Sequence, residues 1–303
     1  MHASRRAAQN GATPALVTAF RFAIAALGGA LALVLTSMSL LSLRVARQVI
    51  TPADRRPDTR LLDLDTQAQT VTLQRTADTV LPGRYGLFTT GTESYVKVGT
   101  VLSADDETVT RKLLTHVGSG AHLAPDAAFS GWYFSHPDEL HLDWTPELVG
   151  SAVGPCPAWR FPAGDGTTWV VQVHGRGTTR SEALRAVPVF HALGITSLVV
   201  SYRNDGEAPR SRTGTYALGA TEWRDVDAAI GFARRRGARR VIVMGWSMGG
   251  AIALQLALNS AHRDAIAGLV LDSPVIDWRV VLDYQAGLMN LPQPVTRLAI
   301  DAL

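Results

Sequence analysis

The chain has 303 residues, 47% of them hydrophobic, with 29 lysines and arginines against 26 acidic residues. That length suits about two domains. The basic surplus is arginine, since Lys97 and Lys112 are the only lysines, and groups such as Arg234-Arg235-Arg236 and Arg239-Arg240 build no basic stripe interleaved with aromatics, which argues against a nucleic-acid partner. Cys156 stands alone between Pro155 and Pro157, which excludes an intramolecular disulfide and a cysteine metal cluster; no nearby histidine in sequence would activate it as a nucleophile.

Residues 1–21 read as an N-terminal tail carrying Arg5, Arg6 and Arg21. Residues 22–43, Phe22 to Leu43, contain no charge and are long enough to cross a hydrocarbon core of ~30 Å as a helix. A transmembrane helix is the expectation, which makes the lipid bilayer a partner. A signal peptide and a buried core helix are the competing readings. Arginines flank both ends, with more after the span (Arg44, Arg47, Arg55, Arg56, Arg60). That asymmetry leans toward a cytoplasmic C-terminal domain, with the opposite orientation open.

Residues 44–66 are polar, charged and Pro-containing, and read as a linker. Residues 67–143 carry β-type signals in Thr70-Val71-Thr72-Leu73, Tyr95-Val96-Lys97-Val98 and Thr108-Val109-Thr110, punctuated by Pro82-Gly83 and Asp105-Asp106. A small β-rich module is expected there. Its histidines, His116, His122, His136 and His141, have no metal-template spacing and read as surface or packing residues.

The main domain is expected over 144–303. Ala158–Phe161 and Thr168–Val173 flank a Gly164-Asp165-Gly166 turn, so a hairpin is predicted. Then elements alternate: a helix over Arg180–Leu193, a strand over Thr196–Tyr202, and a helix over Ala220–Arg236 with Trp223, Val226, Ile230 and Ala233 at helical spacing. A strand over Val241–Met244, a sharp turn, a small-residue helix from Ala251 and a strand over Ala267–Leu271 complete the series. Alternation with short links predicts an α/β fold with a mostly parallel sheet covered on both faces.

The turn is Gly245-Trp246-Ser247-Met248-Gly249. In the strand–turn–helix setting this Gly-x-Ser-x-Gly pattern lifts the serine off a strand end at a helix N-terminus, where unpaired N–H groups meet a developing oxyanion. Ser247 is the candidate nucleophile; a plain turn serine is the bland reading. A serine hydroxyl needs a base and an oxyanion site. For the second, His174-Gly175-Arg176-Gly177 follows the first core parallel strand, where glycines admit backbone N–H groups to a substrate oxygen.

These segments, with Gly250 after the turn and Leu271-Asp272-Ser273-Pro274 further on, resemble in order and placement the α/β-hydrolase superfamily, above all its membrane-anchored serine-hydrolase branches with prolyl-oligopeptidase-like cores. The resemblance covers about 144–303. It implies an ester, thioester or amide substrate, Ser247 as nucleophile, Met248 and Arg176 N–H groups as oxyanion donors, and His174, Gly175 and Gly177 as oxyanion-loop residues. It implies a structural aspartate within Trp223–Ala229, and no cofactor or metal. Asp272 is a candidate triad acid, or a turn residue. His174 as base, the Arg176 side chain on an anionic substrate group, and Arg203-Asn204-Asp205 lining the pocket or capping a loop are further alternatives.

The chain departs from the pattern in its histidine. The triad order is Ser, then Asp or Glu, then His, and the only histidine after Ser247 is His262. It falls near the far end of the following helix, roughly 20 Å from the serine at 1.5 Å per residue. One strand follows the nucleophile where the superfamily has about two more, so the domain is expected to be incomplete, with its histidine, and its acid where that is not Asp272, beyond Leu303. A non-catalytic membrane-associated binding protein of the same fold, or an inactive fragment, is the alternative.

Overall fold

The computed structural model describes residues 14–52, 55–89 and 95–303. Arg5 and Arg6 of the expected tail lie outside the described residues. The chain divides into two compact units, one holding the residues up to Val49 with Arg279–Leu303, the other Ile50–Trp278.

In the first unit, helix α1 spans Pro14–Ile50, 37 residues. Leu27, Leu31, Leu33 and Leu35 along it are exposed. Its length and apolar composition over Val17–Ile50 would span a membrane, a test that a signal sequence also passes. The helix runs through Arg44 and Arg47 rather than stopping at Leu43. Both arginines are exposed, and long cationic side chains sit comfortably at a helix C-terminus. Nearby the Ser42 hydroxyl lies 2.8 Å from the Met38 carbonyl and 3.0 Å from the Val295 carbonyl. Val295 belongs to α6, Gln293–Asp301, which follows α5, Trp278–Leu288. Ala46, Ala286, Val295 and Ala299 are the buried apolar residues of this unit.

The second unit begins with a closed barrel in the order β1-β2-β5-β4-β3-β6. Its strands are β1 Thr59–Asp65, β2 Thr70–Gln74, β3 Tyr85–Thr89, β4 Tyr95–Ala104, β5 Thr108–Leu113 and β6 Asp126–Ser130. The residues expected as linker, 44–66, therefore contain the end of α1 and the first barrel strand, and the barrel strands end at Ser130 rather than at 143. Alternation places Val71, Leu73, Leu87, Val96, Val98 and Phe129 in the barrel core. Arg111 shares that interior, fully buried without a carboxylate partner among the described residues. Its guanidinium donates to the carbonyls of Gly99, Thr79, Leu81 and Gly83 at 2.8 to 3.0 Å. Tyr85 and Phe129 rings face it at 5.1 and 5.3 Å. His116, His122, His136 and His141 are all exposed.

A six-stranded sheet follows, in the order β12-β11-β9-β10-β8-β7. Its strands are β7 Thr145–Ser151, β8 Gly154–Phe161, β9 Thr168–Val173, β10 Thr196–Val200, β11 Arg240–Trp246 and β12 Ile266–Asp272. β10, β9, β11 and β12 are parallel; β8 runs against them, and β7, antiparallel to β8, returns to their direction. Helices α2 (Val187–Ala192, entered through a 3-10 turn at Arg180–Ala186), α3 (Trp223–Arg235) and α4 (Met248–Asn259) cover the sheet. Both faces are apolar. Val171, Val173, Leu198, Val200, Val241 and Val243 meet Ile230, Ile252 and Leu256 on one side. Phe161, Val170, Val199 and Trp246 meet Leu184, Val187 and Phe190 on the other. Two-faced burial is what a parallel sheet between helices requires.

The predicted hairpin of Ala158–Phe161 with Thr168–Val173 does not form. β10 lies between β8 and β9, antiparallel to the first and parallel to the second. All five residues of β10 are buried, and a strand that apolar takes a central place, not an edge. Cys156 in β8 is buried, and burial pushes its thiol from the ordinary 9.0 up to about 11.

Arg111→Met would strip donors from the Gly99, Thr79, Leu81 and Gly83 carbonyls. It is expected to cost roughly 3 kcal/mol or more, read as a lowered thermal midpoint, with Arg111→Lys recovering only part because it lacks the planar fork.

Candidate functional site

Strand β11 ends at Trp246 and the chain turns into α4 at Ser247, whose backbone sits at φ 50°, ψ −114°. L-residues avoid that conformation, so the surroundings must impose it. Glycines permit the turn. A side chain at Gly245 would overlap the Gly249 carbonyl, and one at Gly249 would overlap the Val173 carbonyl at the end of β9. The sheet holds the turn from the other side: the Ser247 N–H donates to the Asp272 carbonyl at 3.0 Å, and the Val275 N–H donates to the Ser247 carbonyl at 3.1 Å. Ser247 itself is exposed. Its hydroxyl makes no hydrogen bond among the described residues. Met248 opens α4 and is buried; the first N–H groups of a helix lack intrahelical acceptors and favour negative charge.

The loop after β9 is brought against this turn. A Cβ at Gly175 would lie 3.4 Å from the Ser247 Cβ. The loop's own polar groups are tied. The Tyr202 hydroxyl lies 2.9 Å from the Gly175 carbonyl and 3.2 Å from the His174 carbonyl. The Gly175 N–H donates to Glu182 Oε2 at 3.0 Å, and the Gly177 N–H donates to the Tyr216 hydroxyl. Burial raises the phenol pKa of both tyrosines, so each remains a neutral hydroxyl. Arg176, between the two glycines, is half-buried, and desolvation lowers its pKa from the ordinary arginine value.

His174 is fully buried. Its Nε2 lies 3.1 Å from Asp205 Oδ2, its Nδ1 2.8 Å from the Gly175 carbonyl, and its ring stacks on Tyr202 at 4.3 Å. Both ring nitrogens are thus engaged by the loop after β9 and by Asp205, and neither is hydrogen-bonded to Ser247. Arg203, Asn204 and Asp205 each hold structure. Arg203 forms a fork on Asp225 at 2.7 and 2.8 Å, which raises the arginine pKa. Asn204 donates to the Thr215 carbonyl at 2.7 Å. Asp205 also accepts the Glu207 and Ala208 N–H groups at 2.9 and 2.8 Å.

Asp272 contributes its backbone to the turn at Ser247, while its exposed carboxylate accepts from the adjacent Ser273 hydroxyl at 3.1 Å. His262, past the end of α4, lies 3.1 Å from an Arg234 Nη1 on α3. No histidine is hydrogen-bonded to Ser247 among the described residues. Sequence reasoning did not find Glu182, Tyr202 or Tyr216. The one local signal was Thr179-x-x-Glu182, which marks a helix start but says nothing of a reach back to Gly175.

Residues 170–302 match a family model described as "Alpha/beta hydrolase family". Residues 60–130 match a domain of unknown function, DUF8805. No curated protein matches the sequence. An esterase from Pyrococcus furiosus superposes with 19% identity and a TM-score of 0.45, over 54% of this chain and 63% of that one. The chain thus spans less than two thirds of that esterase's length. An esterase from Exiguobacterium antarcticum gives 16% identity and a TM-score of 0.39, over 52% and 68%. An epoxide hydrolase from an endophytic Streptomyces gives 20% and 0.35, over 42% and 36%.

Burial works against the charged form of Asp205, but His174 and the Ala208 and Glu207 N–H groups outweigh it and hold the carboxyl below its ordinary 3.8. A carboxyl lowered by folding stabilises the fold above its ordinary value and loses that contribution as pH falls through the lowered one. Asp205→Asn is therefore expected to lower the melting temperature at neutral pH, with the gap to wild type shrinking only below pH 3.8 in melts recorded across the acid range.

Proposed function

We propose that this chain of the α/β-hydrolase superfamily is a serine hydrolase, cleaving an ester, thioester or amide through an acyl-Ser247 intermediate. The observation that carries the reading is the strained, glycine-enabled turn that leaves an exposed Ser247 at the N-terminus of α4, against Gly175 of the loop after β9. Attack by the serine oxygen on a substrate carbonyl creates negative charge on the carbonyl oxygen; the reading assigns the Met248 and Arg176 N–H groups as its donors, and donors already fixed act without reorganisation. The His174–Asp205 pair and the two tyrosines keep that loop in one conformation. The family match over residues 170–302 supports a hydrolase.

A non-catalytic binding protein is the second reading, and one observation favours it. His174 and His262, the histidines of this domain nearest the motif elements in sequence, are engaged elsewhere. In either reading α1 anchors the protein in a lipid bilayer as a single pass through residues 22–43, supported by its uncharged, exposed surface. Resistance of the native protein to alkaline extraction from membranes tests this; release into the soluble fraction would sink it.

Ser247→Ala in the full-length protein is expected to abolish labelling by a fluorophosphonate and to lower ester turnover by roughly 10⁶-fold, the scale seen when a triad serine is removed. The melting temperature should not fall, because alanine retains the backbone turn's neighbours. Retained turnover would overturn the nucleophile assignment, and ligand binding with no turnover in wild type would select the second reading.

A further inference from the structure

One carboxylate beside Ser247 has no part in the reading above. Glu182 lies in the 3-10 turn Arg180–Ala186. Its Oε2 accepts the Gly175 N–H at 3.0 Å and the Thr178 hydroxyl at 2.8 Å. A single oxygen therefore fixes both ends of the loop that carries Arg176. The same oxygen borders the nucleophile: the position a Gly175 Cβ would take is 3.5 Å from Glu182 Oε2 and 3.4 Å from the Ser247 Cβ. A bare carboxylate there would oppose a developing oxyanion, so its charge has to be balanced.

The balance comes from Arg185, which reaches the end of the barrel. Arg185 Nη2 lies 3.9 Å from Glu182 Oε1, and its guanidinium sits 5.1 Å over the Trp246 ring, the residue before Ser247. Its other nitrogen, Nη1, is 3.6 Å from where a side chain at Gly131 would begin, just past β6 of the barrel.

We propose that Glu182 is a positioning residue that sets the oxyanion loop against Ser247, and that the β-barrel sets Glu182 through Arg185. The barrel is then a working part of the hydrolase site. The assignment rests on the serine-hydrolase reading for its kinetic consequences, and on the loop geometry alone for its structural ones. A proton-accepting role for Glu182 is the rival, and the conservative variant separates the two.

The test uses the full-length protein in detergent with a nitrophenyl ester as substrate, and follows amide hydrogen exchange at Gly175 in parallel. Glu182→Ala is expected to lower kcat about 10²-fold, the scale of a catalytic group misplaced by about 1 Å, with KM little changed and Gly175 exchange accelerated. Glu182→Gln, whose amide oxygen still accepts from Gly175 and Thr178, is expected to recover most of kcat and of the protection. Arg185→Met is expected to fall between Glu182→Ala and wild type in both readouts. Unchanged exchange and kcat in Glu182→Ala would overturn the proposal. Loss of kcat in Glu182→Gln with Gly175 still protected would replace positioning by proton transfer. Wild-type behaviour of Arg185→Met would remove the barrel from the assignment. If wild type hydrolyses nothing, the serine-hydrolase reading fails, while the exchange data still decide whether Glu182 holds the loop.

Discussion

The close approach of the first turn of α4 to the end of β9 is the constraint on which the rest of the site depends. With side chains at Gly245 and Gly249 the helix would stand off from the sheet, and Ser247 would relax toward an ordinary backbone conformation. The strain at Ser247 persists because β12 clasps it on one side and β9 blocks it on the other. The helix N-terminus, the exposed hydroxyl and the loop at Gly175 are brought together by that one contact between backbones.

A second layer consists of buried polar groups that are satisfied in nearly every direction. His174 binds Asp205, Asp205 caps its own loop, Arg203 forks onto Asp225, and Glu222 accepts the Ala217 and Gly219 N–H groups at the start of α3. The His174–Asp205 and Arg203–Asp225 links join the segment after β10 to the end of β9 and to α3, while the others fix single loops. In a low-dielectric setting such a network resists partial opening, because breaking any one bond leaves a buried group unpaired. The loop after β9 is thus held as a rigid surface rather than as a mobile segment that orders on substrate binding.

Much of this was legible in the residues themselves. The glycines around Ser247 and the apolar run before them announce the strand, turn and helix, because both the turn and the two-faced strand are local requirements. The β-rich character of the segment around Thr70 and Thr108 was equally local. What escaped notice was set by pairing at a distance. Thr59–Asp65 alternates Leu61, Leu62 and Leu64 with polar residues and sits among arginines, so it reads as a linker until β2 and β6 close around it. The fully buried β10 displaces a hairpin that the Gly164-Asp165-Gly166 turn alone would suggest. Glu182 looks like a helix-start residue, and only the fold turns its carboxylate back onto Gly175. The extension of α1 through Arg44 and Arg47 was hidden for a simpler reason: charge ends an apolar run without ending a helix.

Cys156 carries a practical consequence. Its thiol is enclosed between strands and held in the unreactive protonated form at neutral pH. A cysteine introduced at any exposed position would therefore be the only nucleophilic sulfur offered to a maleimide. Under the proposed anchoring, the orientation of each part of the chain across a bilayer would be read by impermeant reagents added from one side, with the native residue left in place.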